Sequence, residues 1–185
     1  MNSLYTFFVE LNIYFMHKHL SVITLIALLF VGLSGCTGSS TTQQLETPEL
    51  QLSAEGPLYA GANLSTATWE FDMAEVLGNA EKEVSEARIT SVEVQLKGAD
   101  SLPAMEKMVF EVTSKNTPMA RIGLYEGKIT PGQPFTLTIA EEQEDLAAAF
   151  ADGKLTFVGD FDMIDEEYLG NVAFNLKVKF EIATK

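Results

Sequence analysis

Apolar and polar residues alternate with a period of two along most of this chain, and this periodicity constrains the fold more than any other feature. The clearest case is the C-terminal segment from Val172 to Ile182. Successive side chains of an extended strand point to opposite faces, so such a segment buries one face and exposes the other. The same pattern predicts further strands with these inward residues: Ala67, Trp69, Phe71, Met73; Val92, Val94, Leu96; Met108, Phe110, Val112; Ile122, Leu124; Phe135, Leu137, Ile139; and Leu155, Phe157, Gly159, Phe161.

Turn-forming residues separate these runs, among them Pro131-Gly132, Asp152-Gly153 and Gly170-Asn171. About seven strands with short connections predict an all-β, mainly antiparallel fold. The form that we expect is an immunoglobulin-like β-sandwich over residues 57–185. A partly closed β-barrel is the alternative, because it shows the same alternation. A short additional strand is expected at Leu50–Ala54, ahead of this domain.

One short helix is expected near residues 140–151, within the β-rich pattern. Its first turns would carry acidic residues, which suit the positive end of a helix dipole: Glu141, Glu142, Glu144 and Asp145. Gly153 follows as a C-cap. Leu146 and Phe150 are four residues apart and share a helix face, so this helix should cover one end of the sandwich. The segment Ala74–Ser85 predicts a second short helix, interrupted by Gly78-Asn79.

A targeting signal precedes the domain. The apolar run over residues 20–33 is shorter than the roughly 20 residues of a transmembrane helix. It ends at Leu33-Ser34-Gly35-Cys36, which contains the only cysteine of the chain. Small residues before a cysteine, directly after an apolar core, resemble the lipobox of bacterial lipoproteins. The resemblance implies a signal peptide over residues 1–35 and acylation of Cys36. A signal peptide begins with positive charge, and Lys18 lies two residues after Met16, so Met16 is the expected start.

The wider layout resembles small, uncharacterised envelope lipoproteins of Bacteroidota-type bacteria. The shared features are a polar, flexible tether over residues 36–56, the segment Ile89–Lys97 ahead of a strand with Met and Phe, and the long final strand. The resemblance implies a lipid-anchored cell-envelope protein in the outer membrane of a Gram-negative bacterium. Surface-exported members have acidic residues after the cysteine, whereas Thr37-Gly38-Ser39-Ser40 follows here, so the periplasmic and surface sides both stay open.

Composition excludes several kinds of chemistry. Both histidines, His17 and His19, lie in the expected signal peptide, and Cys36 would be acylated. The mature chain would then have no Ser-His-Asp or Cys-His catalytic group and no His- or Cys-ligated zinc. Its net charge of −14 argues against binding to nucleic acid. We therefore expect a protein that is not an enzyme, with no catalytic residue and no cofactor.

The densest group of charges runs from Asp160 to Glu167. Calcium prefers six to eight oxygen ligands, so Asp160, Asp162 and Asp165 are the one candidate metal site. Their spacing lacks the glycine and the terminal glutamate of an EF-hand loop. The favoured interpretation is a solvated acidic loop that discourages strand pairing at an edge, without a bound metal.

Four aromatic residues are candidates for a contact surface: Tyr59, Trp69, Tyr125 and Tyr168. Trp69 shares a strand face with Ala67 and Phe71, which predicts burial. Tyr125 lies beside a turn and is predicted to be exposed.

The function predicted from these features is binding of an envelope protein or a glycan. A carrier of a small hydrophobic ligand inside a barrel-like cavity is the alternative, and a carboxylate-based hydrolase is the third hypothesis. A large apolar cavity would favour the carrier and a filled core the binding module. Two carboxylates facing each other across a cleft would favour the hydrolase.

Replacing Cys36 with alanine should abolish lipidation. Each buried methylene of an acyl chain contributes about 0.8 kcal/mol to membrane binding, so the unacylated protein should leave the membrane fraction. Fatty-acid labelling followed by cell fractionation measures both effects. A Cys36→Ala protein that still carries the label would contradict the lipobox interpretation.

Overall fold

The structure, a computed structural model, describes residues 41–78, 83–98 and 102–185. The expected signal peptide, Cys36 and Thr37–Ser40 lie outside the described residues. The elements in chain order are β1 (Thr41–Glu46), β2 (Leu50–Ala54), β3 (Leu58–Glu70), α1 (Met73–Leu77), β4 (Val84–Lys97), β5 (Met105–Thr113), β6 (Ala120–Ile129), β7 (Pro134–Thr136), β8 (Thr138–Ile139), α2 (Ala147–Ala151), β9 (Lys154–Tyr168) and β10 (Val172–Thr184).

All strand pairs among these elements are antiparallel, and they form one continuous sheet in the order β7-β4-β10-β2-β3-β9-β5-β6-β8. The sheet nearly closes on itself, because its two end strands, β7 on β4 and β8 on β6, are separated in the chain by Leu137 alone. The all-β, antiparallel fold class is confirmed. The partly closed barrel, which was the alternative expectation, matches the near closure of this sheet.

The sheet has two halves, each built on four strands, β7-β4-β10-β2 and β3-β9-β5-β6; β1 adds to the first by pairing with β10 and β8 adds to the second by pairing with β6. The two halves are joined by a single residue pair between β2 and β3, Ser53 with Thr66. This order is that of a jelly roll, in which consecutive strands cross between two facing sheets, and it differs from the immunoglobulin-like order that we expected. The reason is that alternation determines which face of a strand is buried but does not determine which strand lies beside it.

The core lies between the two halves and is rich in aromatic rings. β9 and β10 belong to different halves, yet the rings of Phe161 and Phe174 lie 5.3 Å apart between centroids, and those of Phe157 and Phe180 lie 6.5 Å apart. Trp69 stacks on Phe180 at 6.0 Å and is 6% exposed, so its predicted burial is confirmed. Such ring pairs add attraction to the hydrophobic effect of burial.

The predicted alternation is confirmed on most strands. It fails at one position of β6, and Met73, predicted as an inward strand residue, is instead the first residue of α1 because β3 ends at Glu70. In β10 the predicted inward residues are buried, while Lys177 and Lys179 are exposed. In β6 the pairing with β5 contains a register shift, so Gly123 lies opposite the buried Phe110 and Leu124 faces outward opposite Val109. The prediction that Leu124 faces inward is therefore wrong, because one extra residue in a strand reverses the faces beyond it.

The sheet begins before residue 57, within the segment expected to be a tether. β1 pairs with Lys179–Thr184 and β2 pairs with Val172–Leu176, so both lie along one edge of β10. Between them, the amide of Thr47 donates to the carbonyl of Val178 at 3.0 Å, and the Thr47 hydroxyl accepts from the amide of Val178 at 3.1 Å. The strand expected at Leu50–Ala54 is confirmed as β2. Main-chain pairing needs no apolar side chains, which is why the Thr- and Gln-rich composition did not predict β1.

α2 lies in the segment where a helix was expected, but it is shorter and begins after the acidic residues. Gln143 instead pairs with the main chain of Ile89, with its amide nitrogen 2.8 Å from the carbonyl and its amide oxygen 3.1 Å from the amide. An Asp145 oxygen accepts from the amides of Ala87 and Ala147. Gln143 and Asp145 thus hydrogen-bond the main chain of β4 where β7 does not pair with it. They protect this strand edge and do not form part of a helix.

Strand directions define two ends of the barrel. The end with α1, α2, Thr41 and Thr184 is here called the helical end, and α1 and α2 line a common pocket there. Asp152 also lies at this end, where hydrogen bonds from Ser114 and Asn116 hold its pKa below the ordinary value. The opposite end, called the turn end, carries the β2–β3 and β9–β10 turns. There the amide of Gly56 donates to the Asn171 side chain at 3.0 Å.

Leu176→Ala should destabilise the fold by about 2–5 kcal/mol, because the side chain is fully buried and its removal leaves a cavity. Lys177→Ala, on the exposed face of the same strand, is the matched control and should cost less than about 0.5 kcal/mol. Urea denaturation of the domain measures both free energies of unfolding. Equal losses in the two variants would contradict the observed facing of β10.

Candidate functional site

The acidic segment from Asp160 to Glu167 lies within β9, so the expectation of a loop at residues 165–167 is wrong. The outward Asp162 carboxylate is 3.6 Å from the ammonium of Lys107 on β5. An Asp165 oxygen accepts from the amide of Ala104 at 2.7 Å. One Asp160 oxygen is buried without a hydrogen-bond partner. Each of the three candidate ligands therefore has a different environment.

These carboxylates are not brought together as a metal site. Along an extended strand, Asp160 and Asp162 are two residues apart on one face, while Asp165 is directed to the β4–β5 connection at Ala104. In the described residues, no group of three or more His, Cys, Asp or Glu side chains is placed to hold a metal ion. The segment instead contributes negative charge to the surface around it.

Large apolar side chains are exposed mainly on β3, on β9 and at the turn after β9. They are Tyr59 (55% exposed), Leu64 (63%), Ile164 (55%) and Leu169 (77%), and the remaining one in the described chain is Met119 (56%), at the opposite end. We call Tyr59, Ile164 and Leu169, all toward the turn end, the ridge. Several large apolar side chains exposed toward the same end of a domain are candidates for an interaction site.

A double irregularity of the β3–β9 pair builds the ridge. Tyr59 pairs with Glu167 and Gly61 pairs with Met163, so residues 164–166 of β9 lie opposite Ala60 alone. The Asn63 side chain holds the distortion, because its amide nitrogen donates to the carbonyls of Tyr59 at 2.7 Å and Gly61 at 2.8 Å. Its oxygen accepts from the amide of Tyr59 at 3.2 Å. Bulges redirect side chains, and this one turns Tyr59 outward.

Gly61 supplies the backbone geometry that this bulge requires. Its φ is 92°, in the region that side-chain-bearing residues avoid. Tyr59 and Trp69 are an even number of residues apart, so uninterrupted alternation would have placed both in the core. The only signal in the sequence for the reversal is the segment Gly61-Ala62-Asn63, whose residues are unusual inside a strand.

Along β3 and β9 the segments that carry the ridge have only negative charges. Residues 55–64 and 162–171 contain no Lys or Arg, and they carry the following acidic residues: Glu55, Asp162, Asp165, Glu166 and Glu167. Glu166 and Glu167 are exposed. The ridge therefore combines apolar side chains with an anionic border.

An open groove of about 460 Å³ adjoins the ridge through Ile164. It is lined by Ala104, Glu106, Lys107, Glu126, Gly127, Lys128 and Ile164. Carboxylates and ammonium groups both line it, so the groove is charged but mixed in sign. It extends the surface available to a partner from β9 across β5 to β6.

The other aromatic candidates are packed into the fold. Tyr125 stacks on Phe135 with ring centroids 4.3 Å apart, and its hydroxyl donates to the carbonyl of Lys128 at 3.3 Å. The prediction that Tyr125 is exposed is therefore wrong, because the register of β6 turns it toward the core opposite Met108. Tyr168 also packs against the core. Tyr59 is the only exposed aromatic side chain among the described residues.

Comparison with known proteins gives a distant structural likeness. The structure is similar to solved structures of infectious bursal disease virus, the Gt strain (TM-score 0.42, 4% identity) and the Gx strain (TM-score 0.40, 6% identity). The likeness covers 79% of this chain, which spans about a third of each viral chain, 33% and 32%. No family model and no curated protein matches the chain. Likeness at this level carries no argument about function.

The described part of the chain contains no helix that is long and apolar enough to cross a membrane. Its two helices, α1 and α2, have five residues each.

Millimolar calcium should leave the melting temperature of the domain unchanged, because Asp162 is engaged by Lys107 and Asp165 by Ala104. A bound ion at 100 times its dissociation constant would add about 2.7 kcal/mol to the free energy of unfolding. Thermal unfolding with calcium and with chelator measures the difference. A rise that disappears in the Asp162→Asn, Asp165→Asn double variant would show that the three carboxylates do bind calcium.

Proposed function

We propose that this protein is a lipid-anchored binding module of the cell envelope, without enzymatic activity, and that the ridge binds a protein partner. The observation that carries the proposal is the outward placement of Tyr59, Ile164 and Leu169 on a strand pair held in place by the Asn63 hydrogen bonds. The lipobox at Leu33–Cys36 supports the anchor.

The backbone geometry of the ridge favours binding. Association has an entropic cost when loops and side chains must become ordered, and preorganised residues reduce that cost. Tyr59 and Ile164 project from paired strands, where Asn63 fixes the backbone on both sides of Gly61. Aromatic and aliphatic side chains of this kind act as the central anchors of protein interfaces.

The charges around the ridge favour one type of partner. Glu166 and Glu167 border the apolar side chains, and no basic residue lies in the adjoining segments of β3 and β9. Electrostatic complementarity requires opposite charge on the facing surface. The partner that fits is a protein with an apolar pocket bordered by Lys or Arg.

A protein fits the ridge better than a glycan. Flat aromatic surfaces suit stacking, and Tyr59 is the single exposed aromatic in the described chain. The other exposed apolar side chains of the ridge, Ile164 and Leu169, are aliphatic and offer no second ring for stacking on a sugar. The experiment below therefore includes a test that distinguishes a glycan partner from a protein.

Packing of the core in the described part of the chain favours the binding module over the carrier. Aromatic rings from both halves of the sheet meet between them, with centroids of neighbouring rings 4.3–6.5 Å apart. Phe110, Phe157, Phe161, Phe174 and Phe180 are fully buried in this cluster. The 460 Å³ groove lies on the surface and is lined by charged residues, which suit a polar partner better than a hydrophobic ligand.

A photo-crosslinking amino acid in place of Tyr59, in the native bacterium, should give a discrete protein adduct. The same group in place of Thr68, exposed on β3 near the helical end, is the positional control and should not give this adduct. Ile164→Ser with Leu169→Ser should lower the yield at least about tenfold, which corresponds to about 1.4 kcal/mol of binding free energy. Met119→Ser, an exposed apolar residue away from the ridge, should leave the yield unchanged.

Charge reversal tests the chemistry of the partner. Glu166→Lys with Glu167→Lys should also reduce the adduct, whereas Glu75→Lys at the helical end should not. Equal yields at Tyr59 and Thr68, or a yield unaffected by the ridge substitutions, would contradict the proposal. An adduct that glycosidases remove and proteases do not would identify a glycan instead.

A further inference from the structure

We infer that the helical end of the barrel faces the anchoring bilayer and that the ridge is directed away from it. This inference rests on the proposed acylation of Cys36 and adds to it the side from which a partner approaches. It draws on three observations: the length of chain between Cys36 and the sheet, the direction of the strands, and the distribution of charge.

The chain between the anchor and the sheet is short. Thr41, where β1 begins, follows Cys36 by five residues. A polypeptide spans at most about 3.6 Å per residue, so the acylated residue lies within about 18 Å of the start of β1. The residue that begins the sheet therefore stays close to the membrane surface.

The strands place the ridge at the other end of the barrel. Thr41 pairs with Thr184 at the end of β10, whereas the ridge adjoins the turn that precedes Val172 at its beginning. At about 3.3 Å per residue, the 13 residues of β10 span about 40 Å. That length exceeds the reach of the chain after Cys36 by about a factor of two.

Charge disfavours direct contact between the ridge and the bilayer. The chain has a net charge of −14, and exposed carboxylates at Glu166 and Glu167 border the ridge. Anionic headgroups repel such a surface within roughly a Debye length, about 10 Å at 0.1 M salt. Carboxylates also oppose insertion of Leu169 and Ile164 into lipid, since a charged group is costly to move into a bilayer.

The consequence is a restriction on the partner of the ridge. A surface about 40 Å from the start of β1 is not positioned to meet the lipids of its own bilayer. It is positioned to meet a protein in the adjoining aqueous space, or one that projects from a facing structure. The ridge therefore acts as the outer tip of an anchored domain.

The acylated protein with one added cysteine tests the orientation. Met119→Cys labels the helical end and Leu169→Cys labels the ridge, and both side chains are exposed. Cys36, the only native cysteine, is occupied by the lipid, so the added thiol is the only free one. A fluorescent donor is attached there, and the protein is reconstituted in phosphatidylethanolamine–phosphatidylglycerol vesicles whose headgroups carry an acceptor dye.

Energy transfer to the bilayer should be at least about twofold stronger from position 119 than from position 169, since about 40 Å separates the two ends. Equal transfer would show that the barrel lies on its side, and stronger transfer from position 169 would show that the ridge contacts lipid. Either result overturns the orientation and leaves the anchor intact. A protein that acquires no acyl chain and does not float with the vesicles would overturn the proposed anchor as well.

Discussion

The two-sided pairing of β10 is the interaction on which the rest of this fold depends. One edge pairs with β4 along its whole length, and the other edge pairs with β1 and β2. Its inward side chains meet those of β9 from the opposite half of the sheet, as Phe161 and Phe174 show. Burial of each large apolar side chain contributes about 1.5–3 kcal/mol, so this one strand links the pairing within a half to the packing between halves.

Polar side chains, as well as strands, satisfy the main-chain groups around β10. Gln143 and Asp145 supply the hydrogen bonds that β4 lacks beyond its short pairing with β7. Thr47 does the same where β1 gives way to β2. Unpaired strand edges promote pairing with strands of other molecules. These contacts satisfy main-chain groups that would otherwise allow such nonspecific association.

That surface arises where the regular pairing is interrupted. The shift between Tyr59 and Gly61 turns an aromatic residue outward and leaves three residues of β9 opposite Ala60. Asn63 makes the irregularity a defined structure, because it satisfies the main-chain groups that the bulge leaves unpaired. The exposed apolar ridge and the proposed lipidation of Cys36 would together supply the two features that the proposed function needs: a contact surface and a fixed position.

The features that could be predicted from the sequence are those that depend on residues close together in the chain. Alternation within single segments predicted the all-β class and the burial of Trp69, Phe174 and Leu176, because facing in a strand is a local property. Composition also predicts a mature chain without histidine or thiol chemistry, and the lipobox predicts an anchor; both stay predictions. The acidic group at Asp160, Asp162 and Asp165 was also visible, but its environment was not, since Lys107 and Ala104 come from another part of the chain.

Only the tertiary structure decided the strand order, the pairing of the Thr- and Gln-rich β1, the outward positions of Leu124 and Tyr59 and the packing of Tyr125. Each of these depends on which strands meet and where a register shifts. Such contacts join residues far apart in sequence through main-chain groups that every residue carries. Side-chain patterns therefore determine which face of each strand is buried in this protein, whereas long-range strand pairing determines the position of the ridge.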